Sequence, residues 1–443
     1  MAEWSSPAGS ADLLALASAS PDRYPFLLES SAGASAQSRY DLLLAFPSEQ
    51  IAVGADAPAS RFFDTLDHLA ETTAAHPIPG MPFIGGWFVY LGYEMAAGVE
   101  PRLALPRPSD AALPDALAVR CPAAVVHDRQ AGRLYVLAEN RDHECVTTMV
   151  EDLRRHRDAA RYAPVAAWCE SKGELYCEQV EAIRALIRAG DVFQVNLSRK
   201  WSGKLADDVP PASVYAALRA ANPAPFSALV QWSGVALCCS SPERLLLIDA
   251  RVAQTRPIAG TRPRTRGTDR RMTRELLMHP KERAEHIMLI DLERNDLGRV
   301  CRPGSIAVDE LMVTESYAHV HHIVSNIRGV LAEGVGPGRA LAAVFPGGTI
   351  TGCPKVRCME IIAELEGEGR GAYTGAIGYL SRCGRMDSNI VIRSLTQQGR
   401  QLTLRTGAGI VADSDPGKEL EETRVKARGV LRSFVDSSGN AHG

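Results

Sequence analysis

Apolar positions along the chain follow two periods. Residues 24–30 (YPFLLES), 39–46 (RYDLLLAF), 83–93 (FIGGWFVYLGY), 116–128 (ALAVRCPAAVVHD) and 133–140 (RLYVLAEN) are short apolar runs between turn residues, a strand pattern. Residues 146–162 read as a charged helix. From 174 the period lengthens: Val180, Ile183 and Ile187 in ELYCEQVEAIRALIRAGD recur at helical spacing, and Gly190 supplies the stop. VFQVNLSRKW (192–201) and residues 226–238, 244–254 and 404–411 read as strands. Further helices are predicted from Pro280 to Leu297, ended by Gly298, and over 415–434. Strands and helices do not alternate regularly, which predicts an α+β fold with largely antiparallel sheets. The Ala/Ser-rich residues 1–20 read as loose at the start, 101–114 as a proline-rich connection and 437–443 as a disordered tail. Composition changes again at 163–168. The division that follows is an N-terminal region, 1–163, and a second region, 164–436, packed as one structural unit.

Composition narrows the function classes. The chain has 443 residues, 46% hydrophobic and 23% charged, enough apolar surface for a large globular core. Its net charge of −3 argues against a general nucleic-acid or membrane binder. No apolar run approaches the ~18 residues of a membrane span. None of the ten cysteines forms a C-x-x-C pair, so neither a disulfide framework nor a zinc site is read, and a reduced, cytoplasmic setting is expected.

Several constellations could carry chemistry. Glu282 and Glu285 lie i, i+3 on one predicted helix, and Glu419 and Glu422 on another, so each pair shares a helix face. Two such faces brought together would offer hard oxygen ligands to Mg²⁺; each alone is also what a solvated helix face looks like. FPGGTITGCPK (345–355) and RTGAGIVADSD (405–415) are glycine-rich segments whose backbone N–H groups could meet an anion, or plain turns. Neither has Walker A order. In AHVHHIVSNI, His319 and His321 would share one strand face and His322 the other, where a single inward histidine could act as general acid or base near pH 7. RPIAGTRPRTRG (256–267) gathers four arginines around a Pro-Ile-Ala-Gly-Thr core, and Arg393 sits in an apolar run that calls for a carboxylate partner.

GDVFQVNLS, NPAPF, SSPERLL, RPIAGTRPR, KERAEHIMLIDLERNDLGRV, HHIVSNIRG, FPGGTITGCPKVRCMEIIAELE, GAIGYL, MDSNIVIRSL and GAGIVADSDPGKELEET occur in one order along the chain. Together they resemble the chorismate-utilising enzymes, the family of anthranilate synthase component I, aminodeoxychorismate synthase component I and, more distantly, isochorismate and salicylate synthases. FLLES and PFIGGWFVYLGYE extend the likeness to the N-terminal half. The resemblance implies two intimately joined halves, antiparallel sheets packed face to face, helices outside and a site in the cleft between. It implies Mg²⁺ on Glu285 and Glu422 with Glu282 and Glu419 beside them, holding the ring carboxylate of chorismate. Tyr379, Arg393, Lys426 and the backbone of Gly407, Ala408 and Gly409 would take the enolpyruvyl carboxylate. Ala259, Gly260, Thr261, His322 and Thr349 would line the ring. Leu28, Glu29 and Ser30, with Asn222, Pro223 and Phe226, resemble the family's tryptophan-binding elements, so tryptophan is a candidate ligand.

The branch turns on two positions. Water-adding relatives carry a lysine base where this chain has Gln194; glutamine there implies ammonia as nucleophile. The chain has no G-x-C-x-G elbow, so a separate glutamine amidotransferase subunit is expected to supply ammonia. Many aminodeoxychorismate synthases carry a nucleophilic lysine in a PIKGT core; here Ala259 stands in its place, as in anthranilate synthases, and cannot attack a ring carbon. VFQVNLS with Asn196, HHIVS and the double glycine of FPGGTITG lean instead toward the aminodeoxychorismate branch, which is the expected one.

Overall fold

The computed structural model describes residues 2–7, 12–32, 39–54, 59–109, 113–155, 164–263, 280–316 and 320–436. Two large sheets form the frame, and each draws strands from both sides of residue 164. The first runs, in spatial order, Ala2–Pro7, Arg133–Ala138, Ala123–Asp128, Tyr40–Ala45, Phe26–Glu29, Phe226–Trp232, Val235–Ser241, Ser394–Gln398, Gln401–Ile410, Gln194–Leu205, Val165–Glu170 and Val435–Asp436. The second runs Ile258–Pro263, Val320–Val330, Val252–Thr255, Arg244–Asp249, Met386–Ile390, Ala376–Ser381, Gly86–Leu91, Ala116–Cys121 and Gln50–Val53. Strand pairs are antiparallel except Val435–Asp436 on Val165–Glu170.

The sheets pack face to face. Phe26, Ala228, Val230 and Leu237 of the first meet Phe88, Tyr90, Val119 and Ile377 of the second in one buried cluster, and the Phe26 and Phe88 rings stack at 3.8 Å. Helices cover the outer faces. Leu13–Ala19, His143–Arg155, Pro211–Ala221, Lys355–Glu366 and Pro416–Leu431 pack on the first sheet; Ser60–Thr72, Pro280–Gly298 and Pro337–Val344 pack on the second. This is the α+β architecture expected from the chain's pattern.

Local differences have local causes. Residues 1–20 are not loose throughout: Ala2–Pro7 pairs in register with Arg133–Ala138, and Leu13–Ala19 is a helix whose Asp12 cap accepts from Leu14 N at 3.0 Å. Leu13, Leu14 and Leu16 anchor it in the core, outweighing the bland Ala/Ser composition. The run 116–128 is two strands, because Pro122 cannot donate to a ladder; Ala116–Cys121 joins one sheet and Ala123–Asp128 the other. The helix expected over 146–162 is His143–Arg155. Residues 156–163, the tail 437–443, His319 and most of the arginine-rich segment after Pro263 lie outside the described residues. The helix Gly173–Ala189 ends as expected, with Gly190 at φ 86.

One buried charge cluster ties a helix, a loop and the paired strands Gln194–Leu205 and Gln401–Ile410 of the first sheet together. Glu366, 1% exposed, pairs with Arg370 at 2.7 Å and with Arg405 at 2.9 Å. It also accepts from Ser198 N at 2.8 Å, while Arg370 donates to Asn196 O at 2.7 Å and Ile350 O at 3.0 Å. Burial would raise the Glu366 carboxyl, but the two guanidiniums outweigh it and hold it below the usual range. Glu366→Ala leaves two buried cations without their shared anion. It is expected to cost ~3–5 kcal/mol, read as a lower urea midpoint.

Candidate active site

Between the ends of the two sheets opens a cleft of about 910 Å³. Its floor is the start of Gln194–Leu205 and the end of Gln401–Ile410, its walls Ile258–Gly260, Thr349, Tyr373 and Arg393, and its mouth the helices Pro280–Gly298 and Pro416–Leu431. Gln194, Ala259, Gly260, Glu282, Glu285, His322, Thr349, Arg393, Gly407, Gly409, Glu419, Glu422 and Lys426 all line it. Residues some 230 positions apart in the chain are thus gathered by the pairing of Gln194–Leu205 with Gln401–Ile410, in which Asn196 stands opposite Gly409.

Not every expected residue is there. Ala408 is not among the lining residues: its side chain is fully buried in the core with Leu197 and Ile410, as strand alternation requires, so only its backbone is left for the expected contact. Tyr379 is packed edge-on against Phe83 between the sheets, with Arg385 Nε donating to its hydroxyl at 3.3 Å. Tyr373, in the turn before that strand, lines the cleft in its stead. Thr261 is seen only through its backbone, opposite His322; its side chain lies outside the described residues. Of the residues resembling tryptophan-binding elements, Asn222 and Pro223 line the cleft. Leu28 and Glu29 sit on the strand beside Phe226–Trp232, where Glu29 is taken up by Tyr215 at 2.8 Å and Arg219 at 3.0 Å. Ser30 donates its N–H to Asp41.

The electrostatics are sharply divided. Arg393 holds a left-handed backbone, φ 52, that non-glycine residues rarely adopt, and its guanidinium has no carboxylate partner among the described residues. Burial lowers its pKa, with Tyr373 and Glu422 acting in the opposite direction; a guanidinium remains charged regardless. Lys426, by contrast, is committed to Glu422 at 2.8 Å and Gly407 O at 2.8 Å. His322 is 3% exposed and sits 3.3 Å from Gly260 O through Nδ1. Burial, then the charge of Arg393, pushes it down to about 4. A further titratable group in the cleft is not singled out from the sequence. Glu243, from SSPERLL, lines the cleft at 4% exposure, and burial pushes it up to about 7 against the Ile258 N–H that donates to it.

Glu282, Glu285, Glu419 and Glu422 all line the cleft, and among the described residues no three His, Cys, Asp or Glu side chains form a group that could hold a metal ion. Glu285 is steadied by Gln194 Nε2, which donates to its Oε1 at 3.1 Å.

Glu243 binds its proton more tightly folded than unfolded, so folding stability falls as pH rises from the ordinary carboxyl range through about 7. Glu243→Gln removes that penalty. It is expected to be more stable than the parent by about 3 kcal/mol at pH 8, with the gap closing at pH 5, in urea denaturation at both pH values.

Comparison with known proteins agrees with this geometry. The chain is 42% identical to anthranilate synthase component 1 of Thermus thermophilus, over 80% of this chain and 78% of that one. It is 39% identical to aminodeoxychorismate synthase component 1 of Bacillus subtilis, over 84% and 82%. The crystal structure of anthranilate synthase component I from Streptococcus pneumoniae superposes with a TM-score of 0.78 at 30% identity, covering 90% of this chain and 93% of that one. The menaquinone-specific isochorismate synthase of Escherichia coli, at 19% identity and a TM-score of 0.74, shares the fold. No helix among the described residues is long and apolar enough to cross a membrane. The sequence model of the chorismate binding enzymes matches residues 24–432, and the chain belongs to that family.

Proposed function

We propose that this chain aminates chorismate with ammonia, giving 4-amino-4-deoxychorismate. The observation that carries the amination is Gln194: where water-adding relatives carry a lysine base, the cleft presents its amide, tied to Glu285. An amide cannot deprotonate water, whereas ammonia attacks as the neutral molecule. The enolpyruvyl carboxylate would sit on Arg393 and Tyr373, over the backbone of Gly407 and Gly409. Mg²⁺ would be held by Glu285 and Glu422, with Glu282 and Glu419 alongside, and when bound would neutralise the ring carboxylate and draw electron density from the ring.

Ala259 removes any covalent route through a lysine at that position. Ammonia would therefore form the C–N bond at C2 itself while the ring double bond shifts and the C4–O bond breaks. Glu243 gives its proton to the departing hydroxyl, which leaves as water, and regains one from the added nitrogen. A second ammonia forms the C–N bond at C4 and expels the first, so the sum is chorismate plus ammonia to aminodeoxychorismate plus water. Neutral His322 would pack and hydrogen-bond along the ring. Ammonia would come from a glutamine amidotransferase subunit, since no cysteine of the chain sits in a G-x-C-x-G elbow.

Ala259 also favours a second reading, in which the same 2-amino compound loses pyruvate to give anthranilate; relatives named anthranilate synthase component 1 agree with it. Asn196, the HHIVS phrase and the Gly347–Gly348 pair favour C4 amination. Purified chain, chorismate, Mg²⁺ and an ammonium salt at alkaline pH decide between them by chromatography. Aminodeoxychorismate synthesis predicts 4-aminobenzoate only when an aminodeoxychorismate lyase is added. Fluorescent anthranilate and pyruvate formed without the lyase would establish the second reading.

A further inference from the structure

Two amide oxygens in the cleft have no hydrogen-bond partner among the described residues. Gln194 and Asn196 stand i, i+2 on one strand, so their side chains leave the same face, and both residues line the cleft. Gln194 Nε2 donates to Glu285 Oε1, and a carboxylate only accepts, which fixes the amide and leaves Oε1 on the other branch. Asn196 is fixed in the same way, with Nδ2 directed at the Thr349 carbonyl at 3.4 Å and Oδ1 left over. Gln194 Oε1 and Asn196 Oδ1 are both buried and both without a hydrogen-bond partner.

The facing strand is shaped around these amides. A Cβ on Gly409 would lie 2.4 Å from Gln194 Nε2, and one on Gly407 would lie 2.8 Å from Asn196 Oδ1. Two glycines, also i, i+2, therefore keep the pair of amides in place. The backbone of Asn196 is already satisfied: its N–H donates to Thr351 O at 2.9 Å, and its carbonyl accepts from Arg370. The side-chain oxygen thus adds nothing to the strand's own hydrogen bonding.

Buried acceptors left over by the protein await a donor. The carboxylates of a dianionic substrate are acceptors and cannot satisfy them. Ammonia is a water-sized molecule with three N–H donors and one lone pair. Two amide oxygens that accept N–H bonds leave that lone pair directed away from them, toward a ring carbon. They cannot abstract a proton, so the arrangement suits a nucleophile that attacks neutral. We propose that Asn196, together with Gln194, forms the binding site for the nitrogen nucleophile, their two side-chain carbonyls holding ammonia with its lone pair free. This assignment rests on the ammonia reading above.

The test separates the two substrates. Asn196→Leu keeps the volume and removes the acceptor. Steady-state kinetics with ammonium chloride and chorismate should show the KM for ammonium raised about tenfold, with the KM for chorismate unchanged. Asn196→Val, a smaller truncation suited to a strand and without an acceptor, should show the same split and serves if the leucine variant does not fold. Asn196→Asp, which keeps an acceptor, should leave the ammonium KM close to the parent's. An unchanged ammonium KM in the leucine and valine variants, or both KM values rising together, would overturn the assignment while the ammonia reading stands. No chorismate turnover with ammonium by the unaltered chain would sink that reading, and this assignment with it.

Discussion

The cleft depends on the buried anion Glu366. Its two oxygens hold Arg370, Arg405 and the backbone N–H of Ser198, and Arg370 passes the constraint on to the carbonyls of Asn196 and Ile350. The helix Lys355–Glu366, the loop carrying Thr349 and the two strands of the cleft floor are thereby fixed to one point. In this low-dielectric setting a charge is tolerated only because it is shared, and removing any member leaves an expensive remainder. The position of Asn196 opposite Gly409, and of Ser198 opposite Gly407, follows from that anchoring.

Against this fixed frame the cleft separates committed charges from waiting ones. Lys426 is spent on Glu422 and a backbone carbonyl, whereas Arg393 faces the cavity with no carboxylate among the described residues. Burial raises the Glu243 carboxyl to about 7 and lowers the His322 imidazole to about 4. Desolvation thus works against the charged form of both groups. The carboxylates gather at the mouth, where a hydrated divalent ion and the second carboxylate of a dianion would meet them.

How legible this was in the sequence varies with what each signal reports. The helix Gly173–Ala189 is legible through its period and its Gly190 stop, Pro280–Gly298 through its proline and glycine punctuation, and the strands through their bounded apolar runs. Face assignment was harder. GAYTGAIGYL holds two tyrosines six residues apart; only the tertiary structure shows that Tyr373 turns into the cleft and Tyr379 between the sheets. Glu243 sits beside Arg244 in what reads as a polar turn, and nothing local reveals that it is buried. Ala408 was carried along with its glycine neighbours although strand alternation points it into the core. Pairing across more than 200 residues, which creates the amide and glycine cradle, has no local trace at all.

The account's central claim is that one carboxylate of chorismate rests on Arg393 while the other needs the proposed Mg²⁺ at the mouth. Calorimetric titration of chorismate into the purified chain, once with Mg²⁺ and once with a chelator, tests it directly. The account predicts saturable binding with Mg²⁺ and at least about tenfold weaker binding without it, the loss of one charge-assisted contact or more. Equal affinity in both conditions, or no binding in either, would contradict it.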